Sequence, residues 1–145
     1  MSEIRSFRDL VAWQVGTDAV ELTYRLTADF PDSERFGLVS QMRRAAVSIP
    51  SNIAEAHGVK KTGWSLRHIL TAIGSSCELD TQLEIALRLK FIPPIAAREL
   101  QAALDRAQKL LYGMRREKER RLAGAAGVAG AVGALFAVAL RLFFA

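Results

Sequence analysis

Apolar residues recur every three or four positions in four successive stretches of this chain, and proline or glycine separates one stretch from the next. This spacing places side chains on one face of an α-helix. No stretch shows the two-residue alternation of a half-buried strand. The pattern therefore predicts an all-α protein, folded as an antiparallel up-and-down four-helix bundle with short links.

The first helix is predicted over residues 7–30, with its apolar face formed by Leu10, Trp13, Thr17, Val20, Tyr24 and Thr27. The second is predicted over residues 34–56, with a buried face of Leu38, Met42, Ala45, Ile49, Ile53 and Ala56. Pro50 lies inside the second helix and lacks an N–H, so we expect a kink or break there. Thr62 or Ser65 can cap a third helix that reaches about Lys90, and Pro94 suits the first turn of the fourth.

The composition is that of a globular domain. The chain has 145 residues, half of them hydrophobic and 24% charged, with a formal charge of +5. We predict one domain over residues 1–121. Cys77 is the sole cysteine, so it forms no disulfide within the chain, and we expect it to face the core. The N-terminus has no apolar signal-peptide run, which favours a cytoplasmic location.

Residues 122–145 form a separate Ala/Gly-rich segment, which we predict to continue as a helix. Its stretch 122–140 has no charged or polar side chain and approaches the length of a membrane span. The basic residues just before it would keep its start on the cytoplasmic side. A membrane anchor, a loosely ordered tail, a helix packed on a partner subunit and an extension without a role all remain open.

Polar residues at helical spacing form one stripe on each of the two central helices. The stripe residues are Gln41, Arg44, Ser48, Asn52 and Glu55 on the second helix, and Glu78 and Gln82 on the third. In a hairpin that turns near Lys60, residues whose numbers add to about 122 face each other. This register pairs Arg44 with Glu78, Gln41 with Thr81 or Gln82, and Ser48 with Gly74. We interpret the stripes as a structural polar network in preference to an active site.

The sequence contains none of the usual catalytic patterns. His57 and His68 lack the spacing of metal ligands on one helix, and no glycine-rich loop follows a strand. No nucleophile has an evident base partner. We therefore expect a protein that is not an enzyme and that holds no cofactor or metal.

Basic residues are predicted to gather at the link between the second and third helices. They are Arg43, Lys60, Lys61, Arg67 and His68. Such a cluster can bind the phosphates of RNA or DNA with salt-sensitive affinity, although an ordinary solvated surface is the alternative. Trp64 lies nearby, where it can stack on a base or pack between subunits.

Three segments carry a more specific signal than periodicity. They are residues 41–55 (QMRRAAVSIPSNIAE), residues 7–14 (FRDLVAWQ) and residues 74–83 (GSSCELDTQL). Together, and in their order along the chain, they resemble the four-helix-bundle proteins encoded in intervening sequences of bacterial 23S rRNA genes. The resemblance extends over about residues 7–114 and leaves residues 122–145 outside it.

The resemblance implies a bundle that assembles into a homopentameric ring. A similar protein, the accessory variability determinant of diversity-generating retroelements, binds nucleic acid through a basic ring and works beside a reverse transcriptase. By analogy we expect a homo-oligomer that binds RNA or DNA, with a reverse transcriptase as one kind of protein partner. The alternative is a scaffold protein that binds another protein and is tethered to a membrane by residues 122–145.

Overall fold

The computed structural model describes the backbone of residues 5–143 and the side chains of residues 5–127. The α-helices are α1 (Val11–Leu26), α2 (Leu38–Gly58), α3 (Thr62–Arg88) and α4 (Pro94–Phe143). Short 3-10 helices span Phe7–Asp9, Thr27–Asp29 and Asp32–Glu34. The described backbone contains no strand, so the prediction of an all-α fold is confirmed.

The four helices pack as a closed ring in which each contacts the helix before it and the helix after it. α1 packs on α2, α2 on α3, α3 on α4, and α4 returns to α1. The connections are short, so consecutive helices run antiparallel. The predicted up-and-down four-helix bundle is confirmed.

Large aliphatic side chains from three helices fill the core. Fully buried examples are Met42, Ile49, Ile53, Ile69, Leu79, Leu83, Leu100, Leu104 and Leu111. Burying a side chain of this size stabilises the fold by roughly 1.5–3 kcal/mol. The face predicted for α2 is confirmed at Met42, Ala45, Ile49, Ile53 and Ala56, all of which are buried.

The face predicted for α1 is confirmed in part, since Thr27 is buried and Leu10, Trp13 and Val20 pack against the core. The buried residues of this helix are small: Ala12, Val15, Gly16, Ala19 and Thr23. Tyr24 is 45% exposed instead. Thr23 is tolerated in the core because its hydroxyl donates to the carbonyl of Ala19 at 2.7 Å. Small residues let α1 approach its neighbours closely, which a ranking by hydrophobicity alone does not anticipate.

Pro50 does not break α2, so the expected break was wrong. The helix continues through it to Gly58, and the proline ring is buried. α1 passes close to this point, where a Cβ on Gly16 would lie 3.3 Å from Cγ2 of Ile49 and 3.5 Å from Cβ of Pro50. The close approach of α1 and α2 therefore requires a very small residue at position 16.

The predicted start of α4 is confirmed at Pro94, and α3 ends at Arg88, close to the predicted Lys90. The predicted cap of α3 was wrong. Lys61 stands at the N-cap position, without a capping side chain, and the hydroxyl of Ser65 donates to the carbonyl of Ala56 at 2.7 Å instead. Ser65 thereby joins α3 to the last turn of α2.

Residue 122 lies inside α4 and marks no interruption of the backbone helix. Within residues 5–127 no helix is long and apolar enough to cross a membrane. The anchor predicted for residues 122–145 falls mostly on side chains outside those described, so it stays a prediction.

Candidate nucleic-acid interface

Side-chain hydrogen bonds fix how α2 and α3 face each other. The Oγ atoms of Ser48 and Ser75 lie 2.8 Å apart. Nearer the link, Nδ1 of His68 lies 3.3 Å from Oδ1 of Asn52. These pairs, like the bond from Ser65 to Ala56, match the predicted antiparallel register to within about two residues. Ser48 meets Ser75 in place of the predicted Gly74, which is exposed.

The predicted ion pair between Arg44 and Glu78 is not formed. Nη2 of Arg44 donates to Oε1 of Gln41 at 2.7 Å, one turn away on the same helix. Glu78 accepts a hydrogen bond from Nε2 of Gln82 at 3.0 Å, also within its own helix. Both Arg44 and Glu78 are exposed. The prediction failed because both side chains are exposed and each finds its hydrogen-bond partner one turn away on its own helix.

The predicted polar network thus divides into one cluster that joins α2 to α3 and two clusters that each stay on a single helix. Ser48, Asn52 and Glu55 reach α3, because Ser48 contacts Ser75 and both Asn52 and Glu55 contact His68. Gln41 pairs with Arg44 on α2, and Glu78 pairs with Gln82 on α3. Gln82 is buried, and its Oε1 atom has no hydrogen-bond partner within the described part of the chain.

The predicted basic cluster is divided between the two ends of the bundle. Arg43 lies about 15 residues before Gly58 on a continuous helix, which corresponds to about 22 Å along its axis. There its Nε donates to Oγ1 of Thr27 at 2.9 Å, and its guanidinium stacks 4.5 Å above the ring of Tyr24. Arg43 therefore belongs to the opposite end from Lys60 and Lys61. The unbroken path of α2 through Pro50 accounts for this separation.

Lys60, Lys61, Arg67 and His68 do lie together at the α2–α3 link. Lys60 and Lys61 are exposed. Arg67 lies 5.9 Å from the ring of Trp64, which is 56% exposed. His68 is the least accessible, since its Nδ1 lies 3.0 Å from Oε2 of Glu55. Of these four residues, the two lysines and Arg67 therefore present the most accessible cations.

The structure adds cations from α4 that the sequence analysis did not include in the cluster. Nε2 of Gln101 donates to Oδ1 of Asp80 at 3.0 Å and so fixes the register of α3 and α4. From this pair, the first turn of α3 is level with about residues 116–119 of α4. The contact between Arg25 and Glu99 likewise brings the start of α1, with Arg8 just before it, to the same end. The predicted antiparallel bundle already implied that the later part of the fourth helix lies beside the α2–α3 link, but the predicted cluster did not include its cations.

We call this surface the basic end. Its basic side chains are Arg8, Lys60, Lys61, Arg67, Arg115, Arg116, Lys118, Arg120 and Arg121. Fewer carboxylates lie among them, namely Asp9, Glu55, Glu117 and Glu119. Opposing charges along α4 are partly paired, since Arg115 contacts Glu119 at 2.8 Å and Glu117 contacts both Arg120 and Arg121. The remaining imbalance is positive.

Two residues of the basic end, Arg115 and Lys118, have shifted pKa values. The hydrogen bond and the charge of Glu119 raise the pKa of Arg115 above its ordinary value. Partial burial lowers the pKa of Lys118, and the nearby positive charge of Arg121 lowers it further. A bound anion would relieve this repulsion between cations. The basic end is thus electrostatically suited to a negatively charged ligand.

The described part of the chain shows no clustered ligands for a metal. No three His, Cys, Asp or Glu side chains among these residues lie close enough together to hold an ion. Cys77, which was predicted to face the core, is exposed on α3, so that prediction was wrong.

Comparison with known proteins gives two findings. Residues 8–113 match the family described as 23S rRNA-intervening sequence protein. A crystal structure of a protein of unknown function, from the S23 ribosomal protein family of Bacteroides thetaiotaomicron, superimposes with a TM-score of 0.65. It shares 20% sequence identity, and the alignment covers 72% of this chain and 98% of that one. At this identity the likeness concerns the fold. The comparison with curated proteins gives no match.

Proposed function

The chain belongs to the 23S rRNA-intervening sequence protein family, and from that premise we propose that it is a non-enzymatic, cytoplasmic protein that binds RNA or DNA through the basic end. The observation that supports this most directly is the state of Lys60 and Lys61. Both are exposed at the tip of the α2–α3 hairpin. Among the residues whose side chains are described, neither has a carboxylate partner that would neutralise it.

The basic end is suited to phosphates because its cations come from separate elements on one surface. Lys60 and Lys61 are contributed by the link, Arg67 by α3 and the arginines after residue 114 by α4. A nucleic acid carries regularly spaced phosphates, so several of these cations can be engaged at once. Contacts of this kind provide affinity without base sequence preference.

Trp64 adds a second kind of contact to this surface. Its ring is more than half exposed beside Arg67. Stacking of an unpaired base on an exposed aromatic ring contributes roughly 1–3 kcal/mol and is tolerant of base identity. The basic end would therefore favour structured RNA with unpaired bases over a continuous duplex.

Self-association would strengthen this binding. We include in the proposal the homo-oligomer, a pentameric ring, that the family resemblance implies. Large apolar side chains exposed on the single chain, among them Leu89 and Ile95, are consistent with contacts between copies. A ring repeats the basic end around its axis, and repeated weak sites on one ligand give a high overall affinity. A reverse transcriptase is one protein partner that such an assembly would serve.

The second candidate function is a scaffold that binds another protein and is tethered to a membrane by residues 122–145. It is favoured by the exposed apolar side chains away from the basic end, of which Phe36 is 90% exposed. Under this alternative the chain would have no affinity for nucleic acid at physiological salt and would be recovered in the membrane fraction.

A matched pair of charge reversals distinguishes the two functions. The test variant is Lys60→Glu with Lys61→Glu. The control is Arg98→Glu with Arg106→Glu, which changes the formal charge equally at exposed positions of α4 away from the basic end. Fluorescence anisotropy of a labelled RNA hairpin and a labelled DNA duplex measures the affinity of each full-length variant.

We expect the link variant to lose at least about tenfold in affinity while the control changes by less than about threefold. Equal losses would mean that only the total charge matters and would contradict a site at the basic end. No measurable binding by the unsubstituted chain at low salt would instead favour the scaffold function.

A further inference from the structure

A groove at the opposite end of the bundle from the link has an unusual lining. Its volume is about 660 Å³, and it lies between the end of α1, the α1–α2 connection and the first half of α2. Three arginines, Arg35, Arg43 and Arg44, line it together with the apolar side chains of Tyr24, Phe36 and Val47. No carboxylate is among the described side chains that line it. In the α1–α2 connection, Glu34 accepts the backbone N–H of Leu38 at 3.0 Å, and Asp32 lines a separate adjoining cavity with Arg35 and Arg43.

Its apolar side chains are exposed to solvent in the single chain. Phe36 is 90% exposed, Tyr24 is 45% exposed and Val47 is 42% exposed. An aromatic side chain that is almost fully exposed gains nothing from the fold of its own chain. Together with Tyr24 and Val47 it forms a patch that would be stabilised by an apolar partner.

The floor of the groove has the geometry of a helix-binding surface. Val39, Arg43 and Val47 are spaced four residues apart on α2, and Ser40, Arg44 and Ser48 form a second row beside them. These rows extend over about 12 Å, the length of roughly two helical turns. Rows with this spacing form ridges and grooves into which a second helix packs, and the small serines permit a close approach.

We propose that this groove binds an acidic amphipathic helix of a partner protein. The apolar stripe of that helix would pack on Tyr24, Phe36 and Val47. Its carboxylates would pair with the three arginines. Arg43 and Arg44 each have guanidinium N–H groups beyond those used among the described residues, where Arg43 donates to Thr27 through Nε and Arg44 donates to Ser40 and Gln41.

Nucleic acid fits this groove less well than a peptide. The guanidinium of Arg43 lies 4.5 Å above the ring of Tyr24, so this face of the ring is not open to a base. The aliphatic side chains of Val39 and Val47 offer bases no stacking surface. The groove is therefore separate in both position and ligand from the basic end, and its role does not depend on the nucleic-acid proposal.

The test is a selection of peptides of about 16 residues from a random phage-displayed library, carried out against the full-length chain. We expect the selected peptides to be enriched in Asp and Glu, with apolar residues at positions i, i+3 or i+4, and i+7. Synthetic copies of these peptides are then titrated against variants by fluorescence anisotropy.

Phe36→Ser and Arg44→Glu should each weaken the selected peptides at least about tenfold. Both side chains are exposed, so the variants should retain the circular dichroism spectrum of the unsubstituted chain. Lys60→Glu with Lys61→Glu is the control and should leave peptide affinity unchanged.

Three results would overturn the proposal. One is a selection without acidic enrichment or without any enriched peptide. Another is equal affinity of the selected peptides for Phe36→Ser, Arg44→Glu and the unsubstituted chain. The third is that Phe36→Ser and Arg44→Glu lose binding of a 15-mer of deoxythymidine but do not lose binding of any peptide. That result would assign the groove to nucleic acid.

Discussion

The buried hydroxyl of Ser65 offers a sharp test of how α2 and α3 are joined. It is fully buried and donates to the carbonyl of Ala56 at 2.7 Å. Ala56 lies in the last turn of α2, where backbone carbonyls lack intrahelical donors. Ser65→Ala would leave this carbonyl without a hydrogen bond in a place that water does not reach.

The magnitude follows from two opposing terms. An unsatisfied buried carbonyl costs roughly 1–3 kcal/mol. Alanine has a higher helix propensity than serine and returns about 0.5 kcal/mol. We therefore expect Ser65→Ala to lower the free energy of unfolding by about 1.5 kcal/mol, which for a chain of this size lowers Tm by about 6 °C.

Urea unfolding followed by circular dichroism measures this difference, and Ser51→Ala is the matched control. Ser51 is exposed on α2, and its hydroxyl donates to the carbonyl of Val47 within the same helix at 2.8 Å. Its replacement should be neutral or stabilising by up to about 0.5 kcal/mol. If both variants have the same stability, Ser65 does not cap α2, and the contact between α2 and α3 at this point is wrongly described.

Three further predictions concern single side chains. Arg44→Ala should change the free energy of unfolding by less than about 0.5 kcal/mol in urea unfolding, because its contacts are exposed and lie within one helix; a loss of several kcal/mol would indicate a buried ion pair. Gly16→Val should destabilise by about 1–3 kcal/mol in the same assay, because its side chain would meet Ile49 and Pro50, whereas an unchanged stability would mean that α1 and α2 are further apart. Cys77 should react with Ellman's reagent in the folded protein nearly as fast as in urea, and protection of the thiol in the single folded chain would show that it is buried.

The helices themselves could be predicted because periodicity and breakers agree along most of the chain. Met42, Ile49 and Ile53 are separated by seven and four residues and share one face in both the sequence pattern and the structure. Pro94 and the residues around it end one apolar pattern and start the next. Local signals of this kind need no knowledge of tertiary packing.

The face of α1 could not be predicted in the same way. Hydrophobicity favours Tyr24 as a core residue as much as Trp13, which does pack against the core, but the fully buried positions of α1 hold small side chains such as Ala12 and Ala19. Thr23 is buried there because its hydroxyl is satisfied within the helix. The available space depends on the partner helices, which the pattern of one segment does not contain.

The candidate site was likewise predictable only where it depends on residues that are neighbours in the chain. The cluster of Lys60, Lys61 and Arg67 follows from adjacency in the chain, so the sequence was sufficient to find it. The assignment of Arg43 to that cluster overlooked the length of the second helix, which places Arg43 at the other end of the bundle. The pairing of Arg44 with Glu78 failed although the register was predicted to within about two residues, because both long side chains are exposed and bond within their own helices.

The salt dependence of nucleic-acid binding tests the central claim most directly. If Lys60, Lys61, Arg67 and one cation of α4 each neutralise a phosphate, log Kobs for duplex DNA should fall with log salt with a slope of about −3.6. In the Lys60→Glu and Lys61→Glu variant the slope should be shallower by about 1.8. A flat dependence, or an unchanged slope in this variant, would contradict the basic end as the nucleic-acid interface.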